Sequence, residues 1–270
     1  MLVTGATGFL GMAVTSALVS RGHHVSRTVR DPARAAGLSA VGVTAVAADI
    51  RGVARLAELA SGADRVVHCA FAASGPNDDL AVAIDLERHA TDALLRSTQR
   101  PGSVLVYTSG IGVLADADDD VLPRTQCRDL ALPCAGAMTS RRLVADSGGC
   151  VVRPALVYGH GGNALIVDLI KDSLARGAAG HLGDGRGALP TVHLDDLADV
   201  YVRIVEASEP GTTFTVVGET TTSREVARAI GRLIGRPDAT GPLAAEVVAR
   251  ELPTAQWISW GPGVFSRWRW

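Results

Sequence analysis

The first eleven residues, MLVTGATGFLG (Met1–Gly11), hold a short apolar run, then glycines at positions 5, 8 and 11, then the start of a helix-like pattern. Strand, glycine turn and helix in that order form the signature of a dinucleotide-binding turn. Gly5 allows the tight turn, Gly8 lets the backbone approach a pyrophosphate, and Gly11 lets the helix pack on the strand. The first N–H groups of such a helix have no partner within it and, with the helix dipole, favour an anion. Thr7, Phe9 and Leu10 lie between the glycines and are expected contacts of the same cofactor.

Working outward, apolar runs alternate with helical patterns. HHVSRTVR (23–30), VTAVAADI (43–50), ADRVVHCAF (63–71), GSVLVYTSG (102–110) and CVVRPALVYG (150–159) each read as one strand. Helices are expected over Phe9–Arg21, Leu80–Thr98 and from about Ala137 through Leu143. Apolar strands separated by helices indicate a parallel sheet covered on both faces. With right-handed crossovers, the fold class is α/β: a Rossmann-like, doubly wound parallel sheet. The texture changes after Tyr158. GHGGN (159–163) and GDGRGALP (183–190) read as glycine-rich loops around a helix over Ala164–Arg176. VHLDDLADVYVRIVEAS (192–208) reads as a helix with an acidic start, TFTVVG (213–218) as a strand, and TTTSREVARAIGRLIG (220–235) as a helix with Thr222 and Glu225 in a capping box. The expected division is a cofactor domain over residues 1–157 and a smaller substrate lobe over 158–270, with some chain returning to the core. Trp257, Trp260, Trp268 and Trp270 cluster at the end of the chain, as local packing or as a substrate wall.

A net charge of −2 gives no reason to expect nucleic acid or an anionic membrane as a partner. No apolar run approaches the roughly 20 residues that span a bilayer. Cys69, Cys127, Cys134 and Cys150 form no CxxC pair and no zinc spacing, so no metal is expected and the thiols fit a reducing cytoplasm. With the glycine motif already in the first residues, no signal peptide is expected. Lys171 is the one lysine, which reads as coding bias rather than mechanism.

The end of the second strand separates NAD from NADP. An NAD site places a carboxylate there for the ribose hydroxyls. Here the strand ends on Thr28 and Arg30, with Arg34 near and Asp31 placed to cap a helix. A guanidinium suits a 2′-phosphate, so NADP(H) is expected, with Arg30 as the main contact.

TGATGFLG, VRDPAR, ADI, VVHCAFAAS, VYTSGIGVL, VVRPALVYG, VHLDDLADV and FTVVGETTTSREVARAIG occur in the order found in the extended or atypical branch of the short-chain dehydrogenase/reductases, the NAD-dependent epimerase/dehydratase type. The chain resembles that branch over about residues 1–240. The resemblance implies Asp49 and Ile50 beside the adenine. It implies Cys69, Ala70 and Phe71 beneath the ribose and nicotinamide, Thr108 near them, and Pro154 to Val157 along the nicotinamide ring. It also implies a serine, a tyrosine and a lysine that polarise the carbonyl, donate the proton and hold the ribose. Carried over, those positions fall on Gly110, Met138 and Arg142, with Ser109 one residue early and pointing the other way. Arg142 could bond the ribose but keeps its proton at neutral pH. Met138 offers an apolar surface for a flat substrate, with Tyr158 as a further substrate contact. Ser109 and His193 are the remaining candidates for acid–base work.

Three readings follow. The first is an NADPH-dependent ketoreductase acting on a hydroxylated aromatic polyketide-type ketone in antibiotic biosynthesis. Its proton would come from the substrate, the ribose or water. Among atypical reductases this resembles the triad-lacking angucyclinone type. The second is a non-catalytic NADP-binding sensor, and the third a redox-neutral cyclase or epimerase.

Overall fold

The computed structural model describes residues 1–31, 41–71, 79–111, 140–162, 164–181, 183–207 and 209–243. In chain order the strands are β1 (Leu2–Thr4), β2 (Val25–Val29), β3 (Val43–Ala47), β4 (Arg65–His68), β5 (Val104–Thr108), β6 (Cys150–Pro154), β7 (Leu156–Tyr158), β8 (Ala179–His181), β9 (Ala188–His193), β10 (Thr213–Val216), β11 (Glu219–Thr222) and β12 (Thr240–Pro242). The helices are α1 (Phe9–Ser20), α2 (Val53–Ser61), α3 (Leu80–Ser97), α4 (Ala164–Arg176), α5 (Leu194–Ala207) and α6 (Ser223–Leu233), with residues 140–146 also helical.

Seven strands form one sheet in the order β10-β6-β5-β4-β1-β2-β3, and every neighbouring pair is parallel. The chain runs outward from β1 to β2 and β3, then returns to the other side of β1 as β4. The strand order therefore reverses between β1 and β4, and in open α/β sheets ligands bind beyond the carboxyl ends of strands at such a switch point.

Strand alternation sends successive side chains to opposite faces. Leu2, Val66, Leu105 and Tyr107 pack on one face against Leu56 and Ala60 of α2 and Ala90 and Leu94 of α3. Val3, Val67 and Val106 alternate to the other face and are 0% exposed, on the side where α1 packs with α5. Asp79 caps α3 by accepting from the N–H groups of Ala81 (2.9 Å) and Val82 (3.2 Å). Such a cap satisfies two donors that the helix cannot.

The described residues divide into two units. The first comprises Met1–Gly110, the chain up to Pro154, and Leu194–Val216. The second comprises Ala155–His193 and the chain from Val217. In the second unit β9 pairs parallel with β7 and antiparallel with β11, and β8 pairs parallel with β12. Its core gathers Leu169, Ala179, Ala227, Ile230 and Leu243. The Thr222–Glu225 capping box forms at the start of α6, both halves of it being made.

Several sequence expectations change here. CVVRPALVYG is two strands rather than one: β6 ends at Pro154 in the large sheet, and β7 joins a different sheet. An apolar run carries no mark of where its pairing partner changes. The helix expected from Val192 begins at Leu194, because Val192 and His193 pair with Val157 and Tyr158 as the end of β9. Thr220 to Thr222 belong to β11, so the last helix starts at Ser223. The loop reading of GDGRGALP holds only to Gly187, since β9 starts at Ala188. The expected helix start near Ala137, and Met138, Arg34, Cys127, Cys134 and the four tryptophans, lie outside the described residues.

Candidate functional site

The glycine turn is built as its spacing requires. Gly5 has φ +68°, and a Cβ there would lie 2.7 Å from the backbone of Cys69 and Ala70. The turn after β1 and the chain leaving β4 thus touch at the switch point, with no room for a side chain between them. A Cβ on Gly11 would lie 2.3 Å from the Gly5 carbonyl oxygen, so α1 packs on the turn at a separation only glycine permits. Gly8 donates its N–H to Gly5 O at 2.9 Å and sits at the helix cap, where no side chain satisfies the first turn and no acidic residue occupies it. Thr7 and Gly8 are exposed, and Phe9 and Leu10 half-buried. An uncapped helix end without local carboxylates is suited to a phosphate.

The other expected cofactor residues follow the carboxyl ends of neighbouring strands. Arg30 is exposed directly after β2. Asp49 and Ile50 follow β3. The Asp49 carboxylate accepts from the Arg51 backbone N–H at 2.8 Å, while Ile50, 8% exposed, belongs to the core on the α2–α3 face. Cys69, Ala70 and Phe71 follow β4, with Phe71 45% exposed. Pro154 ends β6 in the first unit, whereas Val157 and Tyr158 lie in β7 of the second.

Thr108 ends β5. Its hydroxyl lies 2.7 Å from the hydroxyl of Tyr201 on α5 and 3.3 Å from Cys69 Sγ. Tyr201 is 0% exposed, and burial pushes its phenol well above the usual value. Burial likewise pushes the Cys69 thiol up to about 11, with the Thr108 hydrogen bond pulling the other way. Ser109 follows. Its N–H donates to Val152 O at 2.7 Å, and its buried hydroxyl has no partner among the described residues. Gly110 comes next, with none of the described residues within 4 Å of where a Cβ would stand.

On the expected catalytic helix, Arg142 is exposed while Ser140 and Arg141 are buried. Ser140 donates to Glu87 Oε2 at 2.8 Å, and Thr91 donates to Glu87 Oε1 at 2.9 Å. The Tyr107 hydroxyl bonds the same carboxylate. Burial raises Glu87 above the usual carboxylate range, the hydroxyls opposing it. Tyr107 and Thr108 are sequence neighbours whose side chains serve opposite faces of the sheet.

In the second unit Tyr158 donates to Glu219 Oε1 at 2.8 Å, and its ring meets His193 edge-on with centroids 5.2 Å apart. His160 holds φ +48°, unusual for a residue with a side chain, and its ring lies 5.7 Å from that of His193. A Cβ on Gly159 would meet His193 Nε2 at 2.7 Å, so glycine there makes room for the imidazole.

Sequence reasoning missed Tyr201 and Glu87. Tyr201 sits on the apolar stripe Leu194, Leu197, Ala198, Tyr201, Val202 and Val205, where periodicity marks it as core but not as a hydrogen-bond partner. Glu87 reads as a surface charge until the fold closes over it.

The sequence matches the NAD dependent epimerase/dehydratase family over residues 1–218. The chain belongs to this family. Among relatives, it is 30% identical to the epimerase family protein SDR39U1 of Bos taurus, over 92% of this chain and 84% of the relative. It is 26% identical to a 2-alkyl-3-oxoalkanoate reductase of Stenotrophomonas maltophilia, over 88% and 76%. Its fold resembles that of a double mutant of DesIV, a dTDP-glucose 4,6-dehydratase from Streptomyces venezuelae solved with NAD and DAU bound, with a TM-score of 0.72, 19% identity and 99% of each chain covered. The family's nicotinamide nucleotide fits the residues present: Gly5 and Gly11 let the turn close against the chain leaving β4 and against α1, where a Cβ would strike backbone, and α1 presents an uncapped N-terminus at Gly8. Among the described residues, no helix is long and apolar enough to cross a membrane.

Proposed function

We propose that this member of the family is an NADPH-dependent ketoreductase for a hydroxylated aromatic polyketide-type ketone, of the angucyclinone type and in an antibiotic pathway. The observation that carries the reading is the fate of the chain's three tyrosines. Tyr107 is bonded to the buried Glu87, Tyr158 to Glu219, and Tyr201 to Thr108 deep in the core. The one lysine, Lys171, stands exposed on α4, so no Tyr-x-x-x-Lys pair exists. A proton drawn from the substrate's own phenol, a ribose hydroxyl or water agrees with that inventory.

In this reading Gly5, Thr7, Gly8, Phe9, Leu10 and Gly11 hold the pyrophosphate, and the exposed Arg30 pairs with a 2′-phosphate. The bound nucleotide supplies the hydride. The chain contributes position, which is worth roughly 7–11 kcal/mol of barrier in favourable cases, against about 10²–10⁴-fold for a general acid. Positioning can therefore sustain turnover without a tyrosine. On this reading Arg142 contacts the ribose, and Met138 and Tyr158 contact the substrate. The similarity to a 2-alkyl-3-oxoalkanoate reductase supports ketone reduction as the reaction class.

The test mixes the protein with NADPH and a panel of hydroxylated aromatic ketones. Stoichiometric nucleotide oxidation with alcohol formation is expected. Tight nucleotide binding without oxidation would mark a sensor, and product without net oxidation a cyclase or epimerase. Arg30→Glu should weaken NADPH at least tenfold more than NADH; equal weakening sinks the NADP assignment.

A further inference from the structure

We propose that Thr108, held by Tyr201, is a hydrogen-bond donor aimed at a ligand oxygen beyond the carboxyl end of β5. In the reductase reading, on which this extension rests, that oxygen is the carbonyl being reduced. Thr108 then supplies the polarising contact that Gly110 cannot.

The inference comes from counting protons. Tyr201 is 0% exposed, so its O–H must find an acceptor inside the protein or stand orphaned. Among the described residues its one hydrogen-bond partner is Thr108 Oγ1, at 2.7 Å. Were Thr108 to donate to Tyr201, the phenol proton would have nowhere to go. The phenol therefore donates, and a lone pair of Thr108 accepts. A hydroxyl has one proton and two acceptor sites, so this leaves Thr108 with its own proton to place.

Within reach of that proton is Cys69 Sγ, at 3.3 Å. A thiol sulfur is a weak acceptor and a weak donor. If Thr108 donates to it, an incoming oxygen is the better acceptor and takes the proton. If the thiol donates instead, the Thr108 proton is free outright. Both arrangements leave a donor poised for a ligand.

Position agrees. Thr108 is half-buried, as is Cys69, and they stand where β5 and β4 end, with β5 on the far side of β4 from β1 and its glycine turn. Strand alternation turns Ser109 away from Thr108's face, so its buried hydroxyl is not the equivalent donor. Thr108 keeps its proton throughout: it stabilises developing negative charge and transfers nothing. Tyr201 acts through Thr108 and is a positioning residue.

The experiment compares wild type with Thr108→Val, Thr108→Ser, Tyr201→Phe and the double variant Thr108→Val/Tyr201→Phe. Thr108→Val should lower kcat about 100-fold or more, as loss of one such donor does, with KM for the ketone within about threefold. Thr108→Ser should stay within about fivefold of wild type. The double variant leaves no orphaned phenol, so it should recover thermal stability relative to Thr108→Val yet remain as slow, which a purely structural role would not produce. A second readout needs no turnover: alkylation of Cys69 against pH in nucleotide-free protein, followed on its own peptide by mass spectrometry. Slower alkylation in Thr108→Val than in wild type confirms the hydroxyl as a donor. If wild type reduces ketones and Thr108→Val matches it in both rate and alkylation, the donor assignment is overturned and the reductase reading stands. If wild type reduces no ketone while Thr108→Val slows alkylation, the reductase reading is overturned and the donor assignment stands.

Discussion

Lowering the pH from 7 to 5 tests the part of the core that supports the glycine turn. His68 ends β4 and is 1% exposed, with its Nδ1 2.6 Å from Thr4 Oγ1 at the end of β1. Its Nε2 has no partner among the described residues, and burial pushes the imidazole from its ordinary 6.5 down to about 4. Between those values the unfolded chain binds a proton that the folded protein refuses. Stability rises with pH wherever the unfolded state binds more protons. The contribution of His68 is therefore complete above about pH 6.5, shrinks as the pH falls, and is gone below about pH 4. The fall from 6.5 to about 4 corresponds to ~3 kcal/mol in all, of which ~2 kcal/mol is already lost at pH 5. Urea unfolding at pH 7 and pH 5 measures this, with His68→Gln as the reference, because glutamine is polar and does not titrate. Wild type should lose ~2 kcal/mol more than the variant between the two pH values. If both proteins lose the same amount, the imidazole is not held neutral by burial and the reasoning fails.

Two further outcomes follow from the geometry. Gly11→Ala forces a Cβ to within 2.3 Å of the Gly5 carbonyl. It should cost about 1–3 kcal/mol in thermal or urea unfolding and weaken nucleotide binding at least tenfold in a fluorescence titration; wild-type affinity would show that the turn relaxes without opening the cradle. Thr222→Ala removes the side-chain half of the α6 capping box and should lower stability by about 1 kcal/mol while leaving nucleotide affinity unchanged, which unfolding and binding titrations together would check.

The glycine turn was legible because each glycine answers a local steric demand, and spacing alone records that demand. The parallel sheet was legible for a similar reason, since strands buried on both faces leave unbroken apolar runs such as Val104 to Val106. The Thr222–Glu225 box needs partners only three residues apart, so it too could be read directly. The division at Pro154–Ala155 could not, because the run from Cys150 to Tyr158 is apolar on both sides of the point where it changes sheets. The strands β8, β11 and β12 are short, and they and the longer β9 hold glycine, proline or threonine, so their pairing partners define them more than their own residues do.

The site divides along the same line. Sequence by itself determined the backbone chemistry of the cofactor turn, the family, and the want of a Tyr-x-x-x-Lys pair, because these depend on residue type at fixed spacing. Only the tertiary structure decided which side chains meet. Glu87, Tyr107 and Ser140 converge on one face of the sheet, and Cys69, Thr108 and Tyr201 on the other. Hydrogen bonds between residues tens of positions apart depend on strand order and on which way each strand's alternation begins, and neither leaves a trace in local spacing. The sequence offered Tyr201 as a core residue; the packing of α5 beside the end of β5 makes its hydroxyl the partner of Thr108.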